Sequence, residues 1–269
     1  MNRHAAARRS PVFSIVAAVL LTAGRPVAAQ APERPVLAAA CQACHSTDGI
    51  SASNDIPNLA GQKKDYLVNQ LSAFKSGERK NPFMAVIAGQ LRDVDIQALA
   101  SYWSQLPSAA GGAPAAVAQI RSQMIFPARF PQGFTLYETN GEQDGQVILR
   151  YANAVALGAA REGKTLPDGA AIIVANHDVL LDATGKPALD AAGRPVAGKV
   201  LSFAAMEARA GWGAQVPELL HNGDWDYALF TPDQQRREGT NQALCLACHK
   251  PVAADGFVFT MKALRAAAH

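Results

Sequence analysis

One pentapeptide pattern occurs twice in this chain and constrains it more than any other feature. It reads Cys41-Gln42-Ala43-Cys44-His45 near the start and Cys245-Leu246-Ala247-Cys248-His249 near the end. The chain has four cysteines in its 269 residues, and each lies inside one of the two copies. On a helical turn, two thiols three positions apart reach the same edge of a flat group, and the histidine that follows lies beneath it.

Three chemistries use a Cys-x-x-Cys pair. A thioredoxin-like redox pair does not need the adjacent histidine. A zinc site would have to tie opposite ends of the chain together. Covalent attachment of a c-type haem needs all three residues, with two thioethers to the porphyrin vinyl groups and an imidazole to the iron. The sequence therefore predicts two covalently attached haem c groups. They are held by Cys41 and Cys44, and by Cys245 and Cys248, with His45 and His249 on the metal.

The N-terminus has the layout of a secretory signal peptide. Arg3, Arg8 and Arg9 precede an apolar run from Val12 to Leu21, and Val27-Ala28-Ala29 offers small residues for cleavage. The run is too short to span a bilayer comfortably, and no later stretch is long enough. We expect residues 1–29 to be a signal peptide cleaved near Ala29, a periplasmic mature protein and no stable membrane span after processing. Cleavage removes four arginines and no acid, leaving 21 basic residues against 22 acidic ones, a formal charge of −1. The basic charge belongs to the leader, and nothing calls for nucleic acid.

Residues 31–106 form a short helical unit. A helix is expected from Lys63 to Ser76, with Tyr66, Leu67, Leu71 and Phe74 at helical spacing and Gly77 ending it. A loop then carries Asn81-Pro82-Phe83-Met84. A last helix, with Asp93 as cap, presents Ile96, Leu99, Trp103 and Leu106 on one face. Met84 is the candidate second iron ligand, because a thioether is a soft neutral donor that raises a haem's potential. Its alternative role is ordinary core packing. Residues 107–117, rich in Ala, Gly and Pro, read as a linker.

Residues 118–269 carry the motif near their end. An alanine-rich helix is expected over Tyr151–Arg161, and strands over Ala171–Ala175, Lys199–Met206 and Trp225–Phe230. Asp182-Ala183-Thr184-Gly185-Lys186-Pro187 is echoed by Asp190-Ala191-Ala192-Gly193-Arg194-Pro195, which predicts two successive turns. The oxygen ligands there are too sparse for calcium. His177 and His221 could each be a sixth iron ligand or a plain loop histidine.

Two resemblances follow from these residues. Cys41 to Leu106 resembles the short bacterial class I cytochromes c, through the haem motif, Pro57-Asn58-Leu59-Ala60-Gly61-Gln62, Phe74-Lys75-Ser76-Gly77 and Met84. That resemblance implies an all-α fold, His45 and Met84 as axial ligands, a hydrogen bond from His45 to the carbonyl of Pro57, and one-electron transfer with a redox partner protein. Most of residues 130–269 resembles the cytochrome P-460 family and the cytochromes c prime-beta. The matching residues are Leu166-Pro167-Asp168-Gly169, Met206-Glu207-Ala208, Asp224-Trp225-Asp226-Tyr227 and Phe257-Val258-Phe259-Thr260. It implies an α+β, mainly antiparallel β, haem domain. His249 would be its proximal ligand, with a small-molecule ligand (hydroxylamine or nitric oxide) at an open iron, and a homodimer is a candidate assembly. The family's lysine crosslink has no counterpart, since Val174 occupies the nearest position.

Glu207 matches the family's distal carboxylate and is the candidate acid–base residue, provided the strand turns it toward the iron. A register shifted by one would present Met206 instead. The expected function is a diheme cytochrome coupling electron transfer to ligand binding or oxidation at the second haem. The alternative is a pure diheme electron carrier with both irons six-coordinate.

Overall fold

In a computed structural model the described residues are 31–109, 119–143 and 145–268. The expected signal-peptide segment, and all of the expected linker from residue 110 onward, lie outside them.

The first part is helical, as expected: α1 (Ala38–His45), α2 (Lys64–Ser76), α3 (Pro82–Gly89) and α4 (Asp93–Gln105). Gly77 ends α2 in the left-handed region, with its N–H donated to the Phe74 carbonyl. The loop expected around Met84 is instead the start of α3. Asn81 caps it, its Oδ1 accepting from the N–H groups of Phe83 and Met84, and Pro82 occupies the first turn. Helix α4 starts one residue earlier than a cap at Asp93 would allow. Arg92 takes the cap position, and Asp95 accepts from its N–H at 3.0 Å. Ile96, Leu99 and Trp103 are buried on one face of α4.

Gly49 shows how tightly the loop after α1 is folded. Its φ is +76°, and a Cβ there would meet the Trp103 ring and the Ala60 backbone nitrogen at 2.9 Å. Only glycine suits both demands.

The second part is built on a five-stranded antiparallel sheet in sequential order. Its strands are β1 (Phe134–Gln143), β2 (Gln146–Asn153), β3 (Ala171–Val179), β4 (Ala197–Ala208) and β5 (Trp225–Phe230). The α+β, mainly antiparallel expectation holds. The helix expected over Tyr151–Arg161 is shorter: α5 runs Ala154–Arg161, because Tyr151 to Asn153 complete β2 and Asn153 caps the helix through Oδ1. The two Asp turns between β3 and β4 are as read. Asp182 and Asp190 each spend Oδ1 on backbone N–H groups of their own turn.

Alternation along the strands sorts the side chains into two layers. Phe203, Ala205, Ala228 and Phe230 join Ile173, Ala175, Met124 and Phe126 on one face. Ile172, Met206, Ala208, Trp225 and Tyr227 lie on the other, under α6 (Ala243–His249) and α7 (Met261–Ala267). This second layer is continuous with the helical part. One buried cluster runs from Leu67, Leu99 and Trp103 to Ala243, Leu246 and Ala247, and from Pro32 onward the chain is a single compact unit.

Candidate haem sites

The first site is set by the end of α1. Ser46, at φ +70°, breaks the helix immediately after His45. Cys41, Cys44 and His45 are thereby left on the wall of a cavity of about 280 Å³, with Leu71, Phe74 and Trp103 among its apolar lining. Burial lowers the His45 pKa, opposed by the hydrogen bond at 2.8 Å between its Nδ1 and the Pro57 carbonyl. A carbonyl only accepts, so Nδ1 carries the proton and Nε2 keeps a free lone pair. Met84 lines the same cavity from the first turn of α3, where Asn81 fixes its backbone.

This donor set suits haem c. Two unpaired thiols, a neutral imidazole and a thioether face one apolar space. Burial pushes the Cys41 thiol up to about 11, partly offset by the neighbouring Trp103 indole. The buried indole nitrogen of Trp103, a residue of the cavity wall, finds no partner in hydrogen-bond geometry, which fits a polar atom that meets a cofactor. The zinc alternative gains nothing, since among the described residues no three metal-binding side chains gather around a common point.

The second site repeats the device. His249 closes α6, and its Nδ1 donates to the Phe257 carbonyl at 2.7 Å. Phe257 sits at φ +64°, an uncommon conformation for a bulky residue; the same residue supplies the carbonyl that orients the imidazole. Burial lowers the His249 pKa and raises Cys245 to about 11. Aromatic rings flank the imidazole: Tyr227 with centroids 4.6 Å apart and Phe259 at 4.9 Å. Fully buried Asn222 donates from Nδ2 to the Tyr227 hydroxyl at 3.3 Å and to the Leu246 carbonyl at 2.9 Å, locking β5 to the haem-motif helix. Cys248 is exposed and Cys245 half-buried.

The structure places Glu207 on one face of β4. The pairing of β4 with β5 is regular from Phe203 to Ala208. Glu207 therefore follows Phe203 and Ala205 onto the face away from α6, where its Oε1 accepts from Arg209 at 2.7 Å. Met206 takes the opposite face, on the α6 side, paired with Tyr227 across the strands. Strand β3 carries no lysine, and Val174 and Asn176 lie on its α6 side. His177 is tied through Nδ1 to the Gly198 carbonyl at 3.0 Å, and His221 is exposed.

The sequence reading missed three contributors. Asn222 stands in a turn beside Gly223 and looks like turn chemistry. The Phe257 carbonyl is backbone and leaves no compositional trace. Leu220, Ala243, Leu244 and Ala247 of the second part line the cavity of the first, a partnership no local pattern encodes.

Two family models match the chain: cytochrome c over residues 34–107 and cytochrome P460 over residues 127–260. Cytochrome c-554(548) of Halomonas halodenitrificans is 40% identical over 67 residues, 24% of this chain and 81% of that protein. Cytochrome c4 of Pseudomonas aeruginosa is 39% identical over 83 residues, 30% of this chain and 41% of that protein. A thiosulfate dehydrogenase electron acceptor of Thiomonas intermedia is 35% identical over 108 residues, 40% of this chain. The chain spans under half the length of these last two relatives. A solved structure of reduced recombinant cytochrome c4 from Pseudomonas stutzeri is 36% identical over 25% of this chain and 38% of that one, at a TM-score of 0.23. The helical part with its His45 cavity and the sheet part with its His249 layer thus each match a haem family in its own right. The chain belongs to the cytochromes c, joins a cytochrome c domain to a cytochrome P460 domain, and is a haem-binding electron-transfer cytochrome.

Proposed function

We propose that the chain is an exported diheme cytochrome with unlike irons. In this reading Cys41 and Cys44 hold one haem c with His45 and Met84 as its axial residues. Cys245 and Cys248 hold a second haem c with His249 as its one protein ligand. The first exchanges electrons with a redox partner protein. The second binds or oxidises a small nitrogen compound, hydroxylamine or nitric oxide, in the periplasm after residues 1–29 are removed.

The carrying observation is the contrast between two equivalent histidines. Each is oriented by a backbone carbonyl, Pro57 or Phe257. His45 shares its cavity with the thioether of Met84. His249 is flanked instead by the rings of Tyr227 and Phe259. Haem, when bound, supplies one-electron iron chemistry and, where a coordination position is free, a place for a small molecule. The protein's own share is to fix the imidazole tautomer, exclude water with apolar walls and, at the first site, supply a second donor.

A second reading has its own support. Met206 lies in the buried layer on the α6 side, so a methionine is available to close the second iron and make the protein a pure electron carrier. Electron paramagnetic resonance of the ferric protein separates the two. A high-spin signal beside a low-spin one is expected; two low-spin signals would leave only the carrier. Steady-state assay with hydroxylamine and an artificial acceptor then tests turnover.

A further inference from the structure

Helix α6 belongs to both sites at once. Cys245, Cys248 and His249 are the second haem motif. Ala243, Leu244 and Ala247 of the same helix line the cavity that also holds Cys41, Cys44, His45 and Met84. At 3.6 residues per turn, the two sets point in directions roughly 145° apart around the helix axis. A helix with side chains is about 10–12 Å across, and two of the three residues on the shared side are alanines, the smallest side chains a helix carries after glycine. The arrangement is fastened at two further points. Asn241, just before α6, donates to the Ala43 carbonyl inside the first haem motif. Gln90 at the end of α3 donates to the Leu219 carbonyl at 3.0 Å.

We propose that α6 is a common wall between the two haem sites, with Leu244 as part of the apolar seal of the first, and that electrons pass between the sites within one chain across this helix. The inference rests on the reading of two haems given above. The exchange is one electron at a time. Haem held at each site would supply one-electron iron chemistry, an electron lost at one being gained at the other, and the external redox partner protein would supply or remove the net electron. The residues of α6 need not change redox state. Their part is to fix the separation and keep water out of the first cavity. Leu244 is 44% exposed, so a polar replacement there is not forced into a sealed core.

The test uses the full-length holoprotein carrying Leu244→Asp or Leu244→Lys, with Leu181→Asp as a control at an exposed leucine of the β3–β4 turns. Mass spectrometry first counts haems per chain. Potentiometric titration of the low-spin haem should then show a lower midpoint in Leu244→Asp and a higher one in Leu244→Lys. Each change should be of the order of tenfold in the reduction equilibrium, about 59 mV for one electron, with no movement in Leu181→Asp. Pulse radiolysis of the unmodified protein should show haem-to-haem exchange whose rate does not depend on protein concentration. With two haems attached, an unmoved midpoint in both Leu244 variants, or an exchange rate proportional to concentration, overturns the shared wall alone. A single haem per chain overturns the diheme reading and this inference together.

Discussion

Asn241 and Ala43 are 198 positions apart in the chain, and the side-chain amide of the first donates to the carbonyl of the second. Ala43 is one of the two residues between Cys41 and Cys44. Asn241 Oδ1 in turn accepts from the N–H of Ala243, in the first turn of α6. One side chain therefore clamps the start of one haem-motif helix onto the body of the other. The domains of this cytochrome are joined by geometry as well as by chain.

Removing that clamp should loosen the joint. Asn241→Ala leaves the Ala43 carbonyl without this donor and α6 without its Oδ1 acceptor. A loss of about 1–2 kcal/mol is expected, read as a lower denaturant midpoint with an unchanged slope. Unchanged stability would mean that the clamp is replaced by water at no cost.

Met84 should decide the state of the first iron. Met84→Ala removes the thioether that shares the cavity with His45. The midpoint potential should fall by a sizeable part of the roughly 0.8 V that axial ligands span, and a second high-spin ferric signal should appear. A potential that stays put would return Met84 to the role of a packing residue.

Asp226 should give the fold a specific acid response. It is 3% exposed and accepts from the Gln123 N–H and the Gln242 side chain, joining residues before β1 to the start of α6. Burial raises its pKa above the ordinary value of 3.8 despite those donors. The folded protein therefore holds this proton more tightly than the unfolded chain does. Its contribution is fully present below about 3.8 and is lost as pH rises through the raised folded value. Asp226→Asn should flatten that part of the stability profile in urea titrations. Asp226→Ala should cost about 1–3 kcal/mol at every pH by orphaning its donors.

Glu207 should be dispensable for chemistry. Its partner is Arg209, which is half exposed, and its strand turns it away from α6. Glu207→Gln should leave nitric oxide affinity and any hydroxylamine-dependent reduction unchanged, and cost no more than about 1 kcal/mol in stability. A tenfold slower turnover with intact binding would restore it as a proton relay.

The legible parts of this molecule are those where chemistry dictates spacing. Two thioethers and an imidazole require Cys-x-x-Cys-His, so both attachment segments stand out in the chain. The helices α2 and α4 announce themselves through periodic apolar residues and Gly77. Strand β1 does not, because register shifts between Leu136 and Glu138 and between Asn140 and Gln143 spoil its alternation. Helix α3 is hidden because Asn81-Pro82 also reads as a loop, although that pair is a standard helix start. The side of the sheet taken by Glu207 hung on a single-residue register, which family likeness does not specify. The wall formed by α6 depends on docking between distant segments and has no local signature.

The position of Leu244 and Ala247 against the first cavity also bears on how this protein can be taken apart. A truncated version ending near residue 107 would keep Cys41, Cys44, His45 and Met84, yet its porphyrin crevice would lie uncovered along one flank. Such a fragment should be a leakier, more easily autoxidised carrier than the intact molecule. The gene segment that looks like a free-standing cytochrome is, in three dimensions, an unfinished one.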